Sequence, residues 1–241
     1  MANRIARLQR DFLWGGLGDE PKFHLVNWST VCTPLSSGRL GIRNLITFNV
    51  VLLGKWLWRF GQERDALWRQ VIEVKYDCDW GGWCSSSFSG PYGVSLWKNI
   101  RRRWPSLSRF ILYEIRDGSK VQFWLDRWCG TSSLADRYPE LYRICPIKEA
   151  SVADLIRYTN GVLHWEIHFC RDVHNRELEA FRSFINTIYS TPVRGIGEDK
   201  RCWLPCESKG FTVSAYYHLL VGHSEQFSLR KAFGSRRFHL E

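Results

Sequence analysis

Apolar residues recur at helical spacing in several segments of this chain, and the pattern predicts a mainly helical protein. Near the N-terminus, Ile5, Leu8 and Phe12 lie three and four residues apart. Residues 45–60 carry two apolar stripes, which is typical of a helix buried on two sides, and Asn44 can cap that helix. The chain is therefore expected to begin with an amphipathic helix, followed by a loop region and a buried helix.

Four further helices are predicted downstream. The first starts at Asp65, and its apolar face comprises Leu67, Trp68, Val71, Ile72 and Tyr76. Its opposite, polar face comprises Asp65, Arg69 and Glu73. The other helices cover residues 95–104, which Pro105 ends, residues 172–189, and residues 215–221, which Ser214 caps.

Strand signals are short and few. Residues 113–115 and 120–124 flank Asp117-Gly118, a pair that is typical of a hairpin turn. Trp203 and residues 211–213 indicate further short strands. The predicted fold class is mainly α with small β hairpins (α+β).

The charge distribution points to a polyanionic partner. The formal net charge is +10, and residues 1–150 hold 22 Lys and Arg against 14 Asp and Glu. Residues 151–223 hold 8 of each kind and are neutral. A basic first half favours nucleic acid over an anionic membrane, because no amphipathic membrane helix is present. A solvated, arginine-rich surface is the alternative.

Cysteine usage and hydropathy indicate an intracellular protein of the nucleus or cytoplasm. The eight Cys have irregular spacings and no secretory signal opens the chain, so they are interpreted as reduced thiols in the core. No run approaches the roughly 18–20 apolar residues that a membrane span needs, so no membrane partner is expected. The sequence leaves the oligomeric state open.

One pattern has near-zinc spacing. Cys202, Cys206, His218 and His223 follow a Cys-x3-Cys-x11-His-x4-His arrangement, one residue short of the zinc-finger rule. The segment between them lacks the usual finger core, and His218 lies beside apolar residues of a predicted helix. We therefore treat the quartet as a chance arrangement and predict no metal and no cofactor.

Cations cluster on the predicted helix 95–104, with Trp97 and Trp104 on its inner face. The candidate nucleic-acid-binding residues are Lys98, Arg101, Arg102 and Arg103, with Lys55 and Arg59 at the end of the buried helix. Lys and Arg neutralise phosphates, and neighbouring aromatic rings can stack on bases. The alternative is a solvated helix face above tryptophans packed in the core.

A succession of motifs resembles the region that follows the polymerase core in plant LINE-type (non-LTR) retrotransposon reverse transcriptases. The motifs are LQRDFLWGG (8–16), GRLGIRNL (38–45), LLGKWLWRF (52–60), LWRQVI (67–72), GGW (81–83), SLWK (95–98), FWLDRWCG (123–130) and FTV (211–213). The resemblance extends over roughly residues 4–223. Its specificity comes from the order of the motifs rather than from any single one.

The resemblance implies a division of the chain into four parts. Residues 1–76 form a helical, thumb-like region, and residues 77–130 form a Trp-rich loop, basic helix and hairpin. Residues 131–223 form an α+β region that leads toward a reverse-transcriptase zinc-binding domain. In the family, that domain supplies Cys and His ligands for zinc; here the ligands are expected to be missing. The last part, 224–241, is predicted to be a disordered, frameshifted tail, since the resemblance ends near Phe227.

The same resemblance predicts a fragment without enzymatic activity. The family's polymerase carries its metal-binding carboxylates in a Tyr-x-Asp-Asp motif, which this sequence lacks. We therefore expect a non-catalytic part of an RNA-directed DNA polymerase that binds RNA or DNA independently of sequence. One alternative is a domesticated structural or protein-interaction module with a Trp-rich surface. Another is a small zinc-binding protein that uses the cysteine–histidine quartet.

Overall fold

The computed structural model describes residues 2–15, 26–33, 35, 38–88, 95–204 and 210–221. Within these ranges the chain forms ten α-helices: α1 Ala2–Gly15, α2 Trp28–Val31, α3 Leu45–Gln62, α4 Leu67–Tyr76, α5 Leu96–Arg101, α6 Trp104–Leu107, α7 Leu134–Arg137, α8 Pro139–Ile144, α9 Leu178–Ser190 and α10 Val213–Val221. The four strands in the described ranges are β1 Ile111–Glu114, β2 Ile156–Thr159, β3 Val162–Trp165 and β4 Lys200–Trp203. The predicted class, mainly α with small antiparallel β elements, is confirmed.

Helix α3 is the helix around which the first half packs. The Asn44 side chain accepts hydrogen bonds from the N–H groups of Ile46 and Thr47, at 3.0 and 3.1 Å, as the sequence predicts. The fully buried Leu57 and Phe60 face the core. α3 contacts α1, α5, α6 and α10, so it connects the N-terminal helix to the last one.

Helix α4 buries only part of the apolar face that the sequence predicts: Trp68, Ile72 and Tyr76 pack against the core, but the other two residues of that face do not. Arg69, assigned to the polar face, is 6% exposed, whereas Leu67 and Val71, assigned to the apolar face, are 75% and 56% exposed. The Arg69 guanidinium donates to the carbonyl oxygens of Phe60 and Gly82 and pairs with the Glu73 carboxylate at 2.8 Å. With the Arg64 carbonyl oxygen as a fourth acceptor, these partners satisfy the buried charge, which allows arginine to take an inward position.

The predicted hairpin around Asp117-Gly118 does not form. β1 pairs instead with β4, antiparallel, with Ile111 opposite Trp203 and Glu114 opposite Lys200. The turn is held by the buried Asp199, whose carboxylate accepts the N–H groups of Arg116, Gly118 and Lys120 at 2.8–3.0 Å. A partner about 80 residues away thus replaces the local pairing that the turn residues indicated. The one local hairpin in the described ranges is β2–β3.

Several predicted boundaries also shift. The helix 95–104 is two helices, α5 and α6, and Pro105 stands at the start of α6 rather than ending a helix. Proline suits that position because it lacks the N–H that a first turn leaves unpaired. α9 begins at Leu178 rather than residue 172, and residues 211–213 form no strand. The final helix is capped by the Thr212 hydroxyl, which accepts the Ala215 N–H at 3.1 Å, rather than by Ser214.

The buried residues form one aromatic-rich cluster that runs from Val51 to Tyr216. At least nine of the thirteen Trp have an aromatic ring partner in it. Most of the Trp content is therefore used for packing. The predicted tail, 224–241, lies outside the described residues, and the division into 1–76, 77–130 and 131–223 stays a prediction.

Candidate nucleic-acid interface

Lys98 and Arg101 of α5 and Arg102, which follows the helix, line a single cavity, which we call the basic cavity. Its volume is about 290 Å³, and its walls comprise Tyr76, Ser86, Ser87, Phe88, Trp97, Lys98, Arg101, Arg102 and Pro105. Three of the six predicted nucleic-acid-binding residues are therefore brought together beside two aromatic rings other than those predicted, Tyr76 and Phe88. The cavity combines positive charge with aromatic surface, which is the composition that binds single-stranded nucleic acid.

The inner face of α5 fixes how the cations are presented. Trp97 is buried against Phe60 and Trp68, and its indole N–H donates to the Ser85 hydroxyl at 2.8 Å. Tyr76 at the end of α4 donates to the Ser95 hydroxyl at 2.7 Å. These contacts place Trp97 in the core, as its helical phase predicts, so only an edge of its ring can reach the cavity.

The three cations that line the basic cavity differ in their exposure and in their contacts. Arg101 is 16% exposed at its side chain, pairs with the Asp79 carboxylate and donates to the Ser85 carbonyl oxygen. The Lys98 ammonium lies 4.3 Å from the centroid of the Phe88 ring. Arg102 is exposed, and so is Arg103 just outside the cavity. Arg102 and Arg103 are therefore the cations best placed to meet a phosphate group.

Lys55 and Arg59 lie on α3 and do not line the basic cavity. Lys55 is exposed, whereas Arg59 forms an ion pair with Glu63 at 2.5 Å and lies 4.6 Å from the Trp56 ring centroid. The hydrogen bond between the Arg59 and Glu63 side chains raises the pKa of the arginine and lowers that of the carboxyl group. The two cations thus form a second basic spot, half neutralised by Glu63.

The structure describes two of the four residues of the cysteine–histidine quartet. Cys202 lies in β4 and His218 in α10, while Cys206 and His223 lie outside the described residues. Among the residues that are described, no group of three or more His, Cys, Asp or Glu is arranged to hold a metal ion.

A second cavity was not predicted from the sequence. We call it the acidic cavity; it measures about 320 Å³ and is lined by Asp79, Trp80, Trp83, Cys84, Trp104, Tyr113, Gln122 and Asp126. Burial raises the pKa of Asp126 to about 6 and also raises that of the Tyr113 hydroxyl. The available signal was the FWLDRWCG motif, which contains Asp126 and which we had interpreted only as part of a resemblance.

Two buried guanidinium groups, those of Arg69 and Arg201, bind the carbonyl oxygens of Gly82 and Trp83 beside the acidic cavity. Arg201, opposite Tyr113 in the β1–β4 pair, is 5% exposed and donates to the carbonyl oxygens of Trp83, Leu57 and Trp58. Burial lowers its pKa to about 10, and no carboxylate among the described residues pairs with it. Arg69 connects α4 to the loop that carries Gly82. Neither role was predicted, because both depend on contacts between distant segments.

Comparison with known proteins places the chain near two plant proteins. It is 34% identical, over 146 residues, to an Arabidopsis thaliana protein described as a "putative ribonuclease H protein", which covers 56% of this chain. It is 28% identical over 132 residues to an uncharacterized mitochondrial protein of the same plant, which covers 53% of this chain and 82% of that protein. The chain spans only 22% of the length of the first relative.

Neither protein-family models nor solved structures match the chain. Within the described ranges, every helix is too short or too polar to cross a membrane.

Proposed function

We propose that this chain is a non-catalytic part of a plant LINE-type reverse transcriptase that binds RNA or DNA independently of sequence. The ordered motifs of residues 4–223 support this origin. So does the similarity to two Arabidopsis proteins, one of which carries the name of an enzyme that acts on RNA. The proposed location is the nucleus or the cytoplasm.

The observation that carries the proposal is the basic cavity. It gathers Lys98, Arg101 and Arg102 around the rings of Tyr76 and Phe88. The ion pair with Asp79 fixes Arg101 as a wall of the cavity, while the exposed Arg102 and Arg103, which pair with no carboxylate of the described residues, supply positive charge at its rim. A single strand can place a phosphate at the rim and a base against the aromatic wall.

Binding of this kind has a measurable signature. Each phosphate that a cation neutralises releases counterions, so log affinity falls with log salt by about 0.7 per contact for a single strand. We expect the affinity of the chain for a labelled single-stranded oligonucleotide to fall steeply between low and moderate salt. Fluorescence anisotropy at several salt concentrations gives the slope directly.

A charge-matched pair of variants separates a local site from the general positive charge. Arg102→Ala/Arg103→Ala should weaken binding and reduce the salt slope by about 1.4, which corresponds to two lost contacts. Arg176→Ala/Arg182→Ala removes the same charge from exposed positions of the neutral half and should leave the slope almost unchanged. Equal effects of the two pairs would contradict a site at α5.

A second candidate function is a protein-interaction module, which one observation favours. Leu67, Val71 and Val74 form an apolar stripe on α4 and are 75%, 56% and 90% exposed. Exposed apolar stripes of this kind often mark contacts with another protein surface. Affinity for oligonucleotides that does not change with salt concentration would favour this candidate. A complete lack of oligonucleotide binding would favour it too.

A further inference from the structure

The acidic cavity contains two indole rings that pack against no other ring in the described part of the chain. Trp80 is 43% exposed and Trp104 is half-buried, and no aromatic partner is found for either, whereas at least nine other Trp have one. The Arg201 guanidinium lies 6.0 Å from the Trp104 ring centroid, whereas no ring or cation of the described residues lies over Trp80, so the Trp80 indole is the more accessible to a flat ligand. Stacking between a base and an aromatic ring does not depend on which base is bound.

Two polar residues of the acidic cavity, Asp126 and Gln122, offer different hydrogen-bonding groups to a ligand. Asp126 Oδ2 accepts the backbone N–H of Gln122 at 2.8 Å, which fixes the carboxylate beside the start of the Gln122 side chain. No donor to Asp126 Oδ1 is found among the described residues, and both side chains line the cavity. The cavity therefore offers a carboxylate acceptor next to an amide group that can donate.

This arrangement of acceptor and donor matches one base better than the others. The Watson–Crick edge of guanine presents two adjacent donors, N1–H and the N2 amino group, next to the O6 acceptor. Adenine and cytosine each present a single donor group, and uracil or thymine presents one N–H between two acceptors. A carboxylate can accept both guanine donors while an amide N–H group donates to O6.

Size and position also fit a single nucleotide. A volume of about 320 Å³ lies at the lower end of the roughly 300–1,000 Å³ range of ligand sites, which suits one base. Arg101 lines the basic cavity and forms an ion pair with Asp79, which lines the acidic one, so this ion pair joins the walls of the two cavities. This connection is the reason to expect that one strand can occupy both.

We infer that the acidic cavity binds an unpaired guanine base, with Asp126 accepting from N1–H and the N2 amino group, Gln122 donating to O6, and Trp80 or Trp104 stacking on the ring. The inference rests on the proposed function and extends it. Cations at the rim of the basic cavity bind the phosphate backbone of the strand whatever its base sequence. The acidic cavity adds a preference for guanine. Phosphate contacts position a strand, and contacts to base edges carry its specificity.

The first test compares strands that differ in one base. Labelled oligouridines with a central guanosine, inosine or adenosine are titrated with the full chain at pH 7.5, where Asp126 is ionised because its pKa is about 6. Inosine lacks only the N2 amino group, so it removes one of the two expected hydrogen bonds. The guanosine strand should bind about tenfold more tightly than the inosine strand, and the adenosine strand should bind no better than inosine.

Two variants connect that preference to the cavity. Asp126→Asn keeps an acceptor for the Gln122 N–H but replaces the second acceptor by a donor, so the ratio of guanosine to inosine affinity should fall to about one. Trp80→Ala should weaken binding of the guanosine strand by about tenfold through lost stacking. Asp172→Asn, an exposed position in the second half of the chain, is the matched control and should leave the ratio unchanged.

The outcomes distinguish a failure of the guanine site from a failure of the proposed function. Salt-dependent binding without a preference for guanosine overturns the guanine site and leaves the proposed function standing. If no strand binds, the proposed function fails, and titration with free guanosine and inosine, followed by nuclear magnetic resonance, then tests the cavity alone. Equal binding of the two nucleosides, or a guanosine preference that survives Asp126→Asn, overturns the site.

Discussion

The surroundings of two acidic residues, Asp126 and Glu177, shift their pKa values in opposite directions. Burial raises the pKa of Asp126 to about 6, although the Gln122 N–H opposes the shift. Glu177 accepts both ends of the Arg171 guanidinium and the His174 N–H, and these bonds lower its pKa to about 2. Ionisation of Asp126 therefore costs stability, whereas ionisation of Glu177 contributes to it.

Asp126→Asn should change the pH dependence of stability. The folded chain holds the Asp126 proton up to about pH 6, whereas the unfolded chain releases it near 3.8, so stability falls as pH rises through that window. The variant has no proton to lose and should be more stable at pH 7, by at most about 3 kcal/mol, with little difference below pH 4. Urea unfolding at pH 4 and pH 7 measures both values; a variant destabilised equally at both would contradict the raised pKa.

Arg201→Lys tests a buried guanidinium that pairs with no carboxylate in the described part of the chain. The flat group reaches the carbonyl oxygens of Trp83, Leu57 and Trp58 together, and a compact ammonium cannot. Unpaired buried carbonyls should then destabilise the chain by about 2–4 kcal/mol. Arg157→Lys on the exposed strand β2 makes the same exchange in a surface ion pair and should cost less than about 0.5 kcal/mol in denaturant unfolding. Similar losses in both variants would contradict this interpretation.

At the residue scale, the sequence could predict the basic site better than its surroundings. Lys98, Arg101 and Arg102 share a cavity because they lie on one short helix, and that proximity is local. Sequence spacing could not show that Arg101 is neutralised by Asp79, 22 positions away, or that Asp126 and Trp80 share a wall. Such contacts depend on how distant segments pack, which no periodicity encodes.

At the scale of elements, the existence of the helices was predictable, and so was the buried face of α5, whereas the buried face of α4 was predictable only in part. α3 was located from its stripes and its Asn44 cap because both signals are local. α4 buries Arg69 and exposes Val71 because carbonyls of neighbouring segments satisfy the guanidinium, and those partners are invisible to a pattern of apolar residues. The pairing of β1 with β4 likewise depends on a distant segment. The Asp199 carboxylate accepts the N–H of Gly118, in the turn that was predicted to close a hairpin.

Contact between α3 and α10 depends on a glycine. A Cβ at Gly54 would lie 2.6 Å from Cε1 of the fully buried Tyr216, so Gly54→Ala should force the two helices apart. Overpacking costs about 1–3 kcal/mol and outweighs the gain of up to about 1 kcal/mol from the better helix propensity of alanine. We expect a net loss of about 1–2 kcal/mol in chemical unfolding.

A double variant isolates that contact. In a Tyr216→Leu background the ring is gone, so Gly54→Ala should become neutral or stabilising, as its helix propensity alone dictates. If Gly54→Ala stabilised the unmodified chain, the close approach of Tyr216 to α3 would be wrong.

At the scale of the whole molecule, charge and packing are distributed differently. Net positive charge is concentrated in residues 1–150, where 22 Lys and Arg outnumber 14 Asp and Glu, and the basic cavity lies in that half. The core does not follow this division, because Tyr216 and Trp203 from the neutral half pack with Trp58 and Phe110 from the basic half. The binding surface is thus supported by residues far from it in sequence.

This continuity predicts how the chain unfolds. The core runs from Val51 to Tyr216 and crosses the predicted boundaries at residues 77 and 131, and β1 cannot keep its partner if residues 200–203 detach. We therefore expect Trp fluorescence, which reports the aromatic core, and far-ultraviolet circular dichroism, which reports the helices, to change together in one urea transition. Asp199→Ala, which frees the turn at Gly118, should move the whole transition to lower urea while the two signals still coincide. Two separated transitions would show instead that the segments fold as independent units, and the nucleic-acid surface would then be tested on residues 1–130 alone.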